Sequence, residues 1–476
     1  MNMGKKVSVL LLWGMLLSLL FPRTVLASEA PYETFTLDVW GNAVPSPNGY
    51  VPVRSISGSQ IGCGDFNNGA DLFYNAARNM IYVVDAGNAR ILVLNEEMEF
   101  VGQYDRLTRP DGSEYVLSNP QGIFVQDDGT MYIAESGNQE VVVCDALGKI
   151  RQIFGSPETT LIPVNFDYRP SKIAVDDRGR IYVLSKGVYQ GMVYLESDGS
   201  FIKFFGARNV SMTWKDHLKK AWQKLLSDEA AATMQAFVPL EYSNIFMDPQ
   251  GYIYGTVIGE KGMDLVSRVN PVGINALPYK VNGKMSYIDV AADEYGIVTL
   301  LDTKYGSIDQ LNENGKPLFM MGGQGDRAGL FRRPVSLIQV RSRLYVLDGD
   351  KNTITELKIT EFGRLVHNAV RLYNEGLYEE SIEPWKEVIR RNANYLAAYT
   401  GLGKAYYQME EYDTAMYYYR LAGDKEGYSL AYKEASLIKI RNAFGAIVFC
   451  VAVLTAAVVL WKKHRVRINL RKGTAA

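Results

Sequence analysis

"IYVVDAGNAR" (residues 81–90) is the stretch on which the reading of the fold turns. Three polar side chains, Asp85, Asn88 and Arg90, follow a β-branched and aromatic run. Alone, they have the composition of a small binding site. They are not alone. "TMYIAESGNQEVVVC" begins at Thr130 and "RIYVLSKGVYQGMVYL" at Arg180, and Tyr82, Tyr132 and Tyr182 are spaced by 50 and 50. Weaker copies begin at Tyr252, Gly296 and Arg343. Each copy joins two strand-like runs across a turn rich in Gly, Asp or Asn, which is a hairpin signature. The counterparts of the polar triplet read Glu135–Asn138–Glu140 and Ser185–Val188–Gln190, so its chemistry changes from copy to copy. Asp85 and Asn88 are therefore expected to be turn-formers that satisfy backbone donors.

Each hairpin has a leader, such as "PQGIFVQDDG" (120–129) or "PSKIAVDDRG" (170–179), and a trailer, such as "KIRQIFG" (149–155) or "SFIKFFG" (200–206). Each unit thus holds four short strands, and six such all-β units point to a propeller. The pattern P-x-G-I-x-V-x-x-x-G-x-I-Y-V-x-D-x-G-N-x-R-I resembles the NHL repeat, best over 68–155 and more loosely to 360. That resemblance implies a mainly β fold, a six-bladed NHL-type β-propeller over 28–362, with loose similarity to gluconolactonase-like propellers. The sixth unit lacks a clear trailing strand, and "YETFTLDVW" (32–40) is expected to supply it and close the ring.

The ends carry other signals. Residues 1–27 have a basic start, an apolar core and small residues before Ser28, the layout of a secretory signal peptide. "AFGAIVFCVAVLTAAVVLW" (443–461) is uncharged over 19 residues, roughly 28 Å of helix. A basic tail (462–476) follows, so the tail is expected inside and the preceding domains outside a cell membrane. The net charge of −1 gives no bias toward nucleic acid. Cys63 and Cys144 either pair or are buried thiols.

From residue 363 to 440 the periodicity is helical. Tyr378 and Tyr412 are 34 apart, as are Ser381 and Ala415, a period similar to that of tetratricopeptide (TPR) repeats. The tyrosines of this part (Tyr373, Tyr378, Tyr399, Tyr406, Tyr412) read as repeat packing, with carbohydrate stacking as the alternative.

In such a blade the turn between strands one and two lies on the lower face, and the longer connections lie on the upper face. Long loops on a rigid scaffold carry recognition, so a site is expected above. Arg109, Gln121, Arg169, Lys172, Asn244, Arg332 and Arg333 are expected to gather there as a rim for an anionic ligand. The insertion 211–237 reads as an amphipathic helix whose Trp214, Leu218 and Trp222 form a lid or docking face. Gluconolactonase-like propellers hold a divalent metal with carboxylate and amide side chains. The basic residues at the inner strands here disfavour a cation, and only His217 and His367 lie outside the tail, too few for a histidine metal site. No cofactor, metal or catalytic set is expected. The expected function is that of a membrane-anchored extracytoplasmic binding or scaffold protein. Its partners would be protein, as in an envelope or transporter complex, or an anionic or carbohydrate ligand, and not nucleic acid. The alternative is a metal-dependent lactone hydrolase.

Overall fold

The computed structural model describes residues 30–162, 166–206, 241–258, 264–281 and 284–473. Runs such as "IYVV" and "ILVL" are buried at every position (81–84 and 91–94), because each blade is covered on both faces by its neighbours. Among the described residues six antiparallel blade sheets result, with a separate two-stranded hairpin of Arg106–Thr108 and Glu114–Val116. Blade 1 begins at Asp71–Asn75, blade 2 at Pro120–Val125, blade 3 at Arg169–Val175, blade 4 at Tyr242–Met247, blade 5 at Tyr287–Ala292 and blade 6 at Pro334–Val340. These six are the inner strands around the central channel. Blade 4 has three regular strands; the segment 274–281 covers its outer edge by single bonds, Ala276 N–H to Arg268 O and Leu265 N–H to Val281 O.

The ring closes differently from expectation. Strand β1 (Thr34–Leu37) forms a hairpin with β2 (Ala43–Ser46) and adds to the outside of blade 5, where Phe35 faces Met320. The closing strand is β3 (Tyr50–Ser57), paired along the outer edge of blade 6 from Thr353↔Ser57 to Ile359↔Tyr50. It is the strand immediately before blade 1, so the chain steps directly from last blade to first. Its sequence, "YVPVRSIS", hides the role, because Pro52 cannot donate to a ladder and is tolerated only at an edge or bulge. Pro52 sits at such a register shift, beside Leu357.

The opening stretch holds its blade to that blade's own beginning, and four other blades have a counterpart. Asp85 is fully buried; it accepts Asn67 N–H at 2.7 Å and also binds Asn88 Nδ2 and Arg90 Nε, each at 2.8 Å. Glu135 accepts Ser118 and Asn119 N–H, Ser185 accepts Arg169 N–H, Asp302 accepts Ser286 N–H, and Asp348 accepts Arg332 N–H. Asp85 and Asn88 are turn-formers as expected, but the Asp85 role is kept in five of the six blades even where the residue type changes; blade 4 has Val257 at that place and no such acceptor. Each clasp ties the end of the second strand to the loop entering the same blade, at roughly 1.5–3 kcal/mol per charged hydrogen bond.

Below blades 5 and 6 lie two helical hairpins, α1 (Glu361–Asn374) with α2 (Tyr378–Arg391) and α3 (Leu396–Gln408) with α4 (Tyr412–Ala422). Small residues admit the large ones: a Cβ on Gly401 would meet the Trp385 ring at 2.4 Å, and one on Gly403 the Tyr419 ring at 2.7 Å. The tyrosines pack among themselves, Tyr373 on Tyr378 and Tyr406 stacked on Tyr418, at centroid distances of 5.3 and 5.4 Å. The propeller and the hairpins share one core, in which Ile297, Leu318 and Phe319 of blade 5 meet Phe362, Val366, Trp385 and Tyr395. Tyr395 donates to Leu318 O at 2.7 Å. His367 lies within 3.0 Å of Gln310 Oε1, and burial pushes its imidazole down to about 4. Helix α5 (Lys425–Gly473) packs its first turns on α4 and continues as the one helix among the described residues long and apolar enough to cross a membrane. Cys63 and Cys144 are buried free thiols. The first 29 residues, with the expected signal peptide, lie outside the described residues.

Candidate functional site

Five inner strands skip a residue in their ladder, between Pro120 and Gly122, Pro170 and Lys172, Tyr242 and Asn244, Tyr287 and Asp289, and Pro334 and Ser336. A bulge re-aims the residue that follows it. Gly122, Lys172, Asn244, Asp289 and Ser336 therefore hold equivalent places, each opposite the residue just before its blade's clasp position. Asp71, opposite Val84, is the sixth. These positions meet across the channel. The Lys172 ammonium ion-pairs with Asp71 and donates to Ala70 O at 3.2 Å. Asp71 also accepts Ile123 N–H at 3.2 Å. Ser336 Oγ accepts Leu72 N–H and donates to Asp289 Oδ2 at 2.7 Å. Asp289 further accepts Leu337 N–H and the Asn244 amide. Blade 2 contributes backbone only: a Cβ on Gly122 would stand 2.6 Å from Ser171 O.

All five side chains of this ring are buried, and it closes the upper end of the channel. Burial raises the Asp71 carboxyl, with Lys172 pulling it back, and pushes Asp289 up to about 6. Two carboxylates thus share one internal ammonium. Asp71, Asn244 and Asp289 are oxygen-bearing groups of the kind a hard cation takes. As arranged they do not fit one: Lys172 Nζ already covers Asp71, Asn244 turns its N–H to Asp289, and its Oδ1 accepts Ile245 N–H. Among the described residues no set of three His, Cys, Asp or Glu is placed to hold a metal ion.

Below the ring lies a cavity of about 1450 Å³ that runs to the turns joining inner and second strands. It opens on the lower face, not the upper. Phe73, Phe124 and Phe246 are partly exposed on its wall, the first two with rings 5.1 Å apart. Its mouth carries the turn carboxylates. Asp176 pairs with Arg180 and Asp248 with Arg268, whereas Asp293 accepts backbone N–H groups, among them those of Tyr295 and Ile297, and has no ion pair among the described residues. Burial pushes Asp293 up to about 6. Asp127, Asp177 and Glu294 stand exposed beside these turns. Helix α1 borders the mouth, with Asn374 donating to Tyr295 O and Arg371 over the Tyr295 ring at 5.9 Å.

The expected upper rim divides. Lys172 and Asn244 leave it, because the bulges carry them down into the buried ring. The exposed Arg169, Arg332 and Arg333 pair with Asp167, Asp326 and Asp350. Arg109 lies over the Tyr115 ring at 4.8 Å, and Gln121 bonds to Asn119. Trp214, Leu218 and Trp222 lie outside the described residues. Asp71 and Asp289 escaped the sequence reading. Their signal was the alignment of leaders, in which "PSK", "YSN", "YID" and "PVS" place one polar residue at the same offset.

The fold and ring define a six-bladed propeller whose channel is plugged at one end. No family model and no curated protein matches the chain. Among solved structures it is similar to a streptogramin B lyase, at 13% identity and TM-score 0.40 over 68% of this chain and 86% of that one. It is also similar to a gluconolactonase from Xanthomonas campestris, at 12% and 0.41 over 67% and 99%. A virginiamycin B lyase from Staphylococcus aureus gives 12% and 0.40 over 68% and 87%. The likeness is one of fold.

Proposed function

We propose that the protein is a membrane-anchored binding protein, in which the propeller and the helical hairpins act as one rigid receptor held outside the membrane by α5. The observation that carries this reading is the shared core of Phe319, Phe362 and Tyr395, which leaves no hinge between propeller and hairpins. The basic tail after residue 461 supports an inside tail and outside domains. The hairpins, read as TPR-like, and the upper loops bearing Arg109, Gln121, Arg169, Arg332 and Arg333 are the partner-facing parts, with an envelope or transporter complex as the fitting class of partner. The metal-dependent lactonase reading is favoured only by the convergence of Asp71, Asn244 and Asp289, and the Lys172 ion pair opposes it. Affinity capture of the full chain from solubilised membranes tests the proposal. A stoichiometric partner, lost when exposed Tyr417 and Tyr432 of the helices are both replaced by serine, is expected. Recovery no different from that of the isolated 442–476 anchor, together with lactone hydrolysis in added calcium, would overturn it.

A further inference from the structure

The cavity on the lower face has a chemistry of its own. Among the described residues nine carboxylates line it against four cations, Lys172, Arg178, Arg180 and Arg341. Three of those cations are engaged: Lys172 with Asp71, Arg180 with Asp176 and Arg341 with Glu96. Arg178 is exposed at the mouth, which Asp127, Asp177 and Glu294 also line. Deeper in, the wall turns apolar and aromatic at Phe73, Phe124 and Phe246.

The equivalent turn carboxylates show where a positive charge belongs. Asp176 has the guanidinium of Arg180, and Asp248 that of Arg268. At blade 5 both arginine positions change. Ile297 stands where Arg180 does in blade 3, and Gln310 stands where Arg268 does in blade 4, occupied with Thr299 and His367. Asp293 therefore keeps its carboxylate on the cavity wall with backbone N–H partners and no ion pair among the described residues, the Tyr295 and Ile297 N–H groups both on Oδ1. A carboxylate in a partly apolar wall without a countercharge is costly, and an incoming ammonium or guanidinium relieves that cost.

We propose that the lower cavity binds a peptide segment carrying lysine or arginine next to an aromatic or aliphatic residue. The cationic group sits at Asp293, and the apolar neighbour lies on Phe73, Phe124 and Phe246. The volume admits several side chains, more than a lone amine fills. The mouth borders α1 at Tyr295, so a segment leaving the cavity passes along the helical hairpins. This inference rests on the receptor reading above and names the chemistry of one of its ligands.

The test uses the full chain in nanodiscs and fluorescence anisotropy with a labelled Phe-Lys-Phe-Lys peptide. Its Phe-Glu-Phe-Glu counterpart and spermidine serve as controls. Asp293→Asn keeps a turn-capping oxygen while removing the charge, and Asp127→Asn/Asp177→Asn neutralises the mouth. The lysine peptide is expected to bind. Each variant is expected to weaken it about 5–10-fold, 0.5 M salt to weaken it as well, and the glutamate peptide to fail. Equal affinity for both peptides, or full affinity in Asp293→Asn with its melting temperature unchanged, overturns the proposal. Spermidine binding as tightly as the peptide overturns the peptide assignment in favour of a free polyamine. Loss of peptide binding with partner capture intact counts against this inference alone.

Discussion

Replacing Lys172 by methionine tests whether the channel ring is a structural plug. The substitution keeps the volume and the apolar stem but removes the ammonium that contacts Asp71 and Ala70 O. Asp71 remains, 7% exposed, with Ile123 N–H and Ser336 Oγ for company. Breaking a buried pair from one side costs about 3–5 kcal/mol. In a domain of this size one kcal/mol is worth about 2 °C, so the melting temperature falls by about 6–10 °C. The loss also depends on pH. Asp71 is already raised by burial, and without Lys172 it rises further, so its ionised form is the destabilised one. The unfolded carboxyl ionises near 3.9, so the deficit is largest at neutral pH and shrinks as pH falls toward 4. The double variant Asp71→Asn/Lys172→Met leaves no buried charge and recovers most of the stability. Differential scanning fluorimetry of the three proteins at pH 4.5, 6 and 7.5 reads all of this. A Lys172→Met loss under about 1 kcal/mol, a deficit flat in pH, or a double variant no better than the single one would refute the plug.

Calcium at millimolar concentration is expected to raise the melting temperature of Lys172→Met and not of the parent, because only the variant frees Asp71 beside Asp289; isothermal calorimetry checks the binding directly. Asp348→Ala removes the acceptor of Arg332, Asp350 and Lys351 N–H and should cost about 2–4 kcal/mol in denaturant unfolding. Phe319→Ala opens the shared core, with an expected loss of about 3–5 kcal/mol and faster proteolysis within α1 and α2. His367 has its pKa lowered to about 4 by burial, so the unfolded chain takes a proton first as pH falls. Its contribution is complete above 6.5 and is lost between 6.5 and 4, and His367→Gln should gain on the parent by about 3 kcal/mol across that window in equilibrium unfolding. Asp289 and Asp309, both raised to about 6, act the other way in parent and variant alike, so the difference isolates His367.

The blades were legible because each hydrophobic run must be buried on both faces, and that requirement writes itself into consecutive residues such as 81–84. The closing strand was not legible. At the outer edge of a blade only one side of the ladder is paired, so Pro52 and the exposed Arg54 are tolerated in β3, while the more strand-like "TFTL" pairs with blade 5 instead. The ring was half legible. Lys172 and Asn244 stood out as polar residues in apolar leaders, but a bulge shifts every following side chain, and propensity carries no sign of it. Placing them on the rim was the natural error of counting positions along an unbroken strand.

That shift also explains why the two ends of the channel differ. The bulges of blades 3 to 6 bring one polar side chain each to the top of the inner strands, beside Asp71 of the unbulged blade 1, and there they satisfy one another: Asp71 by Lys172, Asp289 by Ser336 and Asn244. Past the bulges the inner strands run on to Phe73, Phe124 and Phe246 and end in turns whose carboxylates are matched by arginine in blades 3 and 4 but not in blade 5. The polar groups thus satisfy one another where the channel is closed, and a carboxylate without a cation partner is left over where it is open. Blade 5 is also the blade that docks the helical hairpins, and Gln310, which stands in the arginine's place, is the residue that holds His367. The substitution that leaves Asp293 without a countercharge is therefore the same one that admits α1. A ligand cation at Asp293 would sit one strand away from that junction, and the affinity of Asp293→Asn measured with and without His367→Gln tells whether the two are coupled. Independent losses in free energy that add within about 0.5 kcal/mol mean that cavity and hairpins are separate receptors on one frame; a larger interaction energy means that the hairpins report the occupancy of the cavity.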